Sequence, residues 1–324
     1  MDRLQYYKLP QRTLELPVFF PSISSVKSSR EPLEHAKILG ALRDLTDKYL
    51  VSAFDVDSSD ANSEFAEVVR KTSQSGSTLL LDSGNYESFW LRKKDTWNPD
   101  RFHLTARHVS AHLTFSFDNQ SPSADMKINV QSIVSGWRRD QDAIPSTTII
   151  PIVHGETTDL PLLVSGIAQK TGVNYIAVAE RELGATMSER CLSIRKIRAH
   201  LDMLDQYVLL HILGTGNPIS MALFAFEGAD SFDGLEWCQN VIDHSTGNLH
   251  HLSHSEFYLL KSKWNDINAP HIVRTIAHNL EYFSSWLDAL RDARRNHSYL
   301  TFLERRLQPA VFKHLNSTLG WAAL

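Results

Sequence analysis

Four side chains pose the chemical question in this sequence: Asp82, Asp118, His154 and Asp233. Each closes a short apolar run, and the first three are spaced 36 residues apart. Carboxylates and a histidine gathered in one pocket suit covalent or acid–base chemistry, in which one carboxylate attacks a carbon while another carries a proton to and from the leaving group. Paired carboxylates of this kind would also serve a barrel hydrolase. Each residue has a plain structural role open to it as well. Asp82 ahead of Ser83 and Gly84 can cap a turn, Asp118 can start an Asx-turn, Asp233 can open a loop, and His154 can pack at a strand end.

The runs that would position these residues are the segment ending at Ile23, then Tyr49 to Asp55, Leu79 to Asp82, Leu113 to Asp118, Thr148 to His154, Tyr175 to Glu180, Val208 to Gly214 and Asp230 to Glu236. A spacing of 36 residues is about one strand plus one crossover helix. Eight such units predict a (β/α)8 TIM barrel, whose C-terminal strand ends converge on one face and would bring the four side chains into a common pocket. The length of 324 residues exceeds the roughly 250 of a plain barrel, leaving room for extra helices. The reading is a single domain, with barrel strands in 1–240 and a helical part in 241–324. In that tail Ile272, Ile276, Leu280, Phe283 and Trp286 recur at helical spacing. The polar stretch Ser116 to Ala124 predicts a loop over the pocket mouth.

Composition narrows the classes. A hydrophobic fraction of 42% with 22% charged residues describes a globular chain with an ample core. The net charge of −4 gives no global basic field, so a nucleic-acid partner must be held by a local patch. Basic clusters stand at Arg92, Lys93 and Lys94, at Arg195, Lys196 and Arg198, and at Arg291, Arg294 and Arg295, and each has the ordinary reading of a solvated helix face. No leader and no membrane span is expected, which points to the cytoplasm. Cys191 and Cys238 supply neither a disulfide framework nor a thiolate metal site by themselves.

Several motifs, in order along nearly the whole chain, resemble those of tRNA-guanine transglycosylases. Leu81-Asp82-Ser83-Gly84-Asn85-Tyr86-Glu87 is similar to the family's D-S-G-G-F/Y-Q. Leu210-His211-Ile212-Leu213-Gly214-Thr215-Gly216-Asn217-Pro218 resembles the H-L-F-G-A-G-H-P of the archaeal branch. Gly228 to Asp233 resembles G-x-D-x-F-D, Ile152-Val153-His154-Gly155 stands where the family has I-V-Q-G, and Ala277-His278-Asn279-Leu280 matches its C-terminal helix. Leu16 to Pro21 echoes its T-P-V-F-M-P start. The resemblance implies base exchange: guanine is cut from a nucleotide within a polymer and a 7-deazaguanine is joined to the same sugar. It assigns Asp233 as nucleophile and Asp82 as proton carrier, Tyr86 as the stacking ring, and Asp118 as acceptor for the base N–H groups, with Ser83 beside them. His154 and the backbone of Gly155 fall on the O6 and N7 side, and Gly214 leaves room for the ring.

The departures are equally specific. The three cysteines of the family zinc site correspond to Gly247, Leu249 and Leu252, so no metal or other cofactor is expected; four-histidine replacement by His250, His251, His254 and His278 would be an unusual structural site. The anticodon-reading P-T-R-x-x-R-N-G is replaced by Leu235-Glu236-Trp237-Cys238-Gln239-Asn240, and no RNA-binding PUA extension is expected. In place of G-G-L-A-V-G-E stands Ala179-Glu180-Arg181-Glu182-Leu183-Gly184, with Arg181 at the pocket rim. This pattern is closest to the DNA-acting branch of the superfamily. DNA is therefore favoured over tRNA as the partner, with a 7-deazaguanine as the second substrate and room for a partner protein that opens the duplex. A shortened tRNA transglycosylase, a non-catalytic paralogue serving as a binding subunit, and an unrelated barrel hydrolase are the alternatives.

Overall fold

A computed structural model describes residues 3–26, 30–58, 63–91 and 96–321. The chain opens with a hairpin of β1 (Tyr6–Leu9) and β2 (Arg12–Glu15). Parallel strands and helices then alternate: β3 (Val18–Ile23), α1 (Pro32–Ala41), β4 (Lys48–Ser52), α2 (Ala53–Ser58), α3 (Glu64–Gln74), β5 (Thr78–Asp82), α4 (Asn85–Trp90), α5 (Pro99–Val109), β6 (Leu113–Phe115) and α6 (Met126–Ala143). The second half runs through β7 (Thr148–Ile150), β8 (Ile152–Val153), α7 (Leu160–Thr171), β9 (Tyr175–Ala179), α8 (Met187–Leu201), β10 (Leu209–Leu213), α9 (Pro218–Glu227) and β11 (Ser231–Gly234).

The sheet order β7-β6-β5-β4-β3-β11-β10-β9-β8 begins and ends on two halves of one segment split by Pro151. Proline has no N–H for the ladder. β7 therefore pairs with β6 on one side, β8 pairs with β9 on the other, and the Pro151 carbonyl accepts from the Ala177 amide at 3.0 Å. The result is the expected (β/α)8 barrel.

Alternation along each strand sorts its side chains. Val18 and Phe20, Leu80, Leu113 and Phe115, Tyr175 and Ala177, and Leu209 belong to the inner core, whereas Phe19, Leu79, Leu81, Ile176, Val178, Leu210, Ile212 and Phe232 face the helices. Carried to the strand ends, the same parity turns Ser22, Asp82 and Asp233 inward. The N-terminal hairpin, which strand spacing did not predict, adds Tyr7, Leu9, Leu14 and Leu16 to the inner core and so closes its lower end. Its signal is the alternation of Tyr7 and Leu9, then Leu14 and Leu16, around Pro10-Gln11.

Two boundaries differ from the sequence reading. The Tyr49 to Asp55 run ends its strand at Ser52, and Asp55 lies in α2, where it accepts from the Ser25 amide at 2.7 Å. The segment after residue 240 is not purely helical, since β12 (Asn240–Ile242) pairs antiparallel with β13 (Leu249–His251). Between β11 and β12 lies the short α10 (Glu236–Gln239), and after β13 come α11 (Ser255–Leu259), α12 (His271–Arg295), α13 (Tyr299–Arg306) and α14 (Pro309–Leu319). The α12 stripe is the expected one: Ile276, Leu280, Phe283 and Trp286 are buried, Ile272 partly so, and Phe283 stacks on Phe19 of β3 at 4.6 Å.

Most of the described basic clusters are consumed in this packing. Arg195 grips Glu227 through two hydrogen bonds, Arg198 and Arg294 both meet Asp230, and Arg295 pairs with Asp292. The cluster at Arg92, Lys93 and Lys94 lies outside the described residues. No described helix is long and apolar enough to cross a membrane.

Candidate active site

A cavity of about 480 Å³ opens at the C-terminal ends of the barrel strands, within the range of small-molecule sites. Asp82, Ser83, Tyr86, Asp118, His154, Arg181, Gly214 and Asp233 all line it, so strand spacing did bring the predicted side chains together. Gly155 does not line it. Its amide donates to Glu182 Oε2 at 3.2 Å, which leaves that N–H unavailable to a ligand.

Asp233, on β11, is held by three hydrogen bonds. Oδ2 accepts from Ser22 Oγ at 2.8 Å, and Oδ1 accepts from the Gly214 amide at 3.0 Å with His211 Nε2 also at 3.0 Å. The left-handed φ of +75° at Gly214 suits glycine, and a side chain there would project into open space, which keeps the cavity clear.

Asp82 ends β5 and accepts a hydrogen bond from the Gly84 amide at 2.9 Å. The turn beyond it requires glycine. Gly84 has φ +77°, and a Cβ would meet Phe54 backbone and side-chain atoms at 2.5 Å. Burial, and then the charges of Glu87, Asp118 and Asp233, push the Asp82 carboxyl well above the usual carboxylate range. This carboxyl is thus fitted to hold a proton. Asp82 caps the turn beyond its strand while lining the cavity.

Asp118 lies three residues beyond β6, with a buried side chain. Oδ1 accepts from Ser83 Oγ at 3.2 Å, and Oδ2 meets His154 Nε2 at 2.8 Å and the Gln120 amide. His154 Nδ1 is in turn 2.6 Å from Glu182 Oε1. Burial alone would lower the imidazole pKa, but the two carboxylates outweigh it through hydrogen bonds and charge and raise it to about 9. At neutral pH His154 is therefore an imidazolium with both N–H groups committed to carboxylates. It has no donor left for a ligand edge, so the sequence reading of His154 as a base contact is replaced by a role in fixing Asp118.

Tyr86 stands on α4 at the cavity wall, its ring edge-on to Trp90 at 6.0 Å. Arg181 is half-exposed at the rim and donates to Gln120 Oε1 at 2.8 Å, tying the loop after β6 to the loop after β9.

Sequence reasoning did not single out Glu87, Glu180, Glu236 or His211. Glu87 accepts from Ser24 Oγ at 2.7 Å, and burial raises its pKa. Glu180 is held by Arg190 and by Thr215 Oγ1 at 2.7 Å. Burial, with lesser contributions from the charges of Asp233 and Glu180, raises Glu236 to about 7. With Asp82, Asp118 and Asp233 these acids line the cavity beside Arg181, Arg190 and His154. Glu87 had a signal, being a carboxylate where the resembling motif has glutamine; the inward parity of β10 would have found His211.

The segment from β12 to α12 is held by hydrogen bonds and ring stacking. Gly247, Leu249 and Leu252 stand at the family's thiolate positions. His278 bonds Ser262 Oγ at 3.1 Å and the Ile242 carbonyl at 2.9 Å, and stacks on His244 at 3.7 Å. His250 stacks on Tyr258, and His251 bonds Ser253. Among the described residues no group of three or more histidine, cysteine or acidic side chains is placed to hold a metal ion. Asn279 accepts from the Ile242 amide and donates to the Trp237 and Asn240 carbonyls, clasping the hairpin.

Fold and site define a (β/α)8-barrel protein with a carboxylate-lined cavity at the C-terminal face of the barrel. The chain matches no known family model, and no curated protein shows significant sequence similarity to it.

Proposed function

We propose that the protein is a guanine transglycosylase acting in the cytoplasm, which exchanges guanine in a nucleic acid for a 7-deazaguanine. The observation that carries this reading is the division of labour between Asp82 and Asp233 in one cavity that also holds Tyr86 and Asp118. In the first half-reaction Asp233 attacks C1′ of the sugar from the face opposite the base, the C1′–N9 bond breaks, and guanine departs with the proton from Asp82. In the second, the incoming base gives its N9 proton to Asp82, N9 bonds to C1′, and the Asp233 carboxylate leaves. The Asp233 carboxylate lies against the cation-like sugar as its charge develops. Asp118, fixed by His154, accepts from the base N–H groups while Tyr86 covers the ring.

DNA is the favoured polymer. The segment that replaces the family's anticodon-reading run turns inward: Trp237 is wholly buried with its N–H on the Ser22 carbonyl, and Leu235, Glu236 and Gln239 face the cavity. Guanine in a duplex must be flipped out to reach the site, at a cost of a few kcal/mol, which a partner protein that opens the duplex would remove. The deciding experiment follows release of radiolabelled guanine from matched duplex, bubble and single-stranded DNA, beside a tRNA transcript. Single-stranded and bubble DNA should lose label faster than duplex. Release from the transcript alone would overturn the polymer assignment, and release from none of them would overturn base exchange.

Two substitutions should separate proton handling from base binding. Asp82→Asn should stop guanine release while free 7-deazaguanine still binds. In the wild type the releasing step should slow as pH rises through the elevated Asp82 pKa, because the protonated form is the acid. Asp118→Ala removes the acceptor that faces the base donors and should weaken base binding by about 1–3 kcal/mol. Calorimetric titration of both variants tests this, and equal loss of binding in the two would show that the pocket roles are wrongly divided.

A further inference from the structure

Behind Asp233 lies a line of hydrogen bonds that the exchange chemistry does not itself require. The Tyr175 hydroxyl donates to Ser231 Oγ at 2.7 Å, Ser231 Oγ is 2.7 Å from His211 Nδ1, and His211 Nε2 is 3.0 Å from Asp233 Oδ1. The three side chains come from the adjacent strands β9, β10 and β11 and point into the barrel. Ser231 and His211 are fully buried, and Tyr175 is 1% exposed. Phe115 meets the His211 ring edge-on at 5.0 Å, and Phe20 and Tyr175 stand at 6.5 Å.

The proton order follows from the donors. Burial raises the Tyr175 pKa, so its hydroxyl keeps its proton and gives that hydrogen bond to Ser231. That leaves the Ser231 proton free to point to Nδ1 of His211, which puts the ring N–H at Nε2 against Asp233. We infer that His211 is a positioning residue held by Ser231 and Tyr175 in its Nε2–H tautomer, which fixes one oxygen of the Asp233 carboxylate so that the other faces the reacting carbon. The inference rests on the base-exchange reading for its consequence but not for its geometry.

The test has one arm for each. In protein labelled with ¹⁵N-histidine, the His211 resonances, assigned by their loss in His211→Gln, should show the proton at Nε2. In Ser231→Ala both tautomers should appear. A wild-type ring protonated at Nδ1, or a tautomer unchanged by Ser231→Ala, would overturn the inference whether or not any polymer is a substrate. The second arm measures the rate of covalent adduct formation with a guanine-containing oligonucleotide. His211→Phe should slow it by about 100-fold through misplacement of the carboxylate, and His211→Gln, which can accept from Ser231 and donate to Asp233, should restore most of the rate. Equal rates in Phe and wild type would refute the positioning role. Failure of every polymer to form an adduct would instead remove the exchange reading and leave the tautomer to be judged by the first arm.

Discussion

Asp233→Asn should reduce base exchange on the order of 10⁴-fold or more, the scale seen when a nucleophile is removed from a unit that works together. The wild-type protein, given polymer but no free base, should accumulate an adduct that survives denaturation and disappears when a 7-deazaguanine is added. The asparagine variant should form none. The expectation comes from the three donors that orient Asp233, from Ser22, Gly214 and His211. Asparagine has one side-chain oxygen where aspartate has two and puts an NH2 donor in place of the other, so it cannot accept all three, and its amide is a poor nucleophile. Undiminished turnover in the variant would remove Asp233 from the mechanism and leave the neighbouring acids, Glu236 first, to be tried in its place.

The largest expected effect on stability belongs to Asp230, three residues before the proposed nucleophile and at the opposite end of its strand. It is fully buried. Oδ2 accepts from Arg198 at 2.7 Å and from the Leu210 amide at 3.0 Å, and Oδ1 from Arg294 and the Tyr207 hydroxyl, both at 2.7 Å. Burial would raise its pKa, yet the two guanidinium charges outweigh it and hold the carboxyl below the usual range. Asp230→Ala would leave two buried arginines without their shared counter-ion and should cost about 3–5 kcal/mol. In a chain of this size that lowers Tm by roughly 5 °C, measurable by scanning calorimetry. Because the folded pKa is lowered, the stabilisation is fully present above the unfolded value of about 4 and is lost as pH falls through the folded one. The gap in Tm between wild type and variant should therefore narrow in acid. A variant that melts with the wild type at neutral pH would show that the arginines find other partners.

The local features of the sequence were enough to specify the barrel and its pocket. Apolar runs of strand length, one crossover apart, leave few alternatives to a closed parallel sheet, and the two-residue alternation within each run decides which side chains face inward. That is why Asp82 and Asp233 could be placed correctly from their runs. Gly84 was legible only as part of a turn after Asp82 and Gly214 only through the resemblance, while the left-handed backbone at both is decided by the fold.

Partner choice was not legible, because it depends on side chains distant in the sequence. Nothing about His154 taken alone says that one nitrogen will meet Asp118 and the other Glu182, yet that double pairing converts it from a reader of the base into a charged clamp. Likewise, Asp230 and Asp233 lie in one short motif, but the strand between them carries one to a pair of arginines from two different helices and the other to the cavity. The elevated pKa of Asp82 also needs the fold, because it depends on burial and on carboxylates contributed by other segments. Local spacing determined where the chain would place its carboxylates; only tertiary packing decided which would hold a proton, which would hold a charge, and which would hold the barrel together.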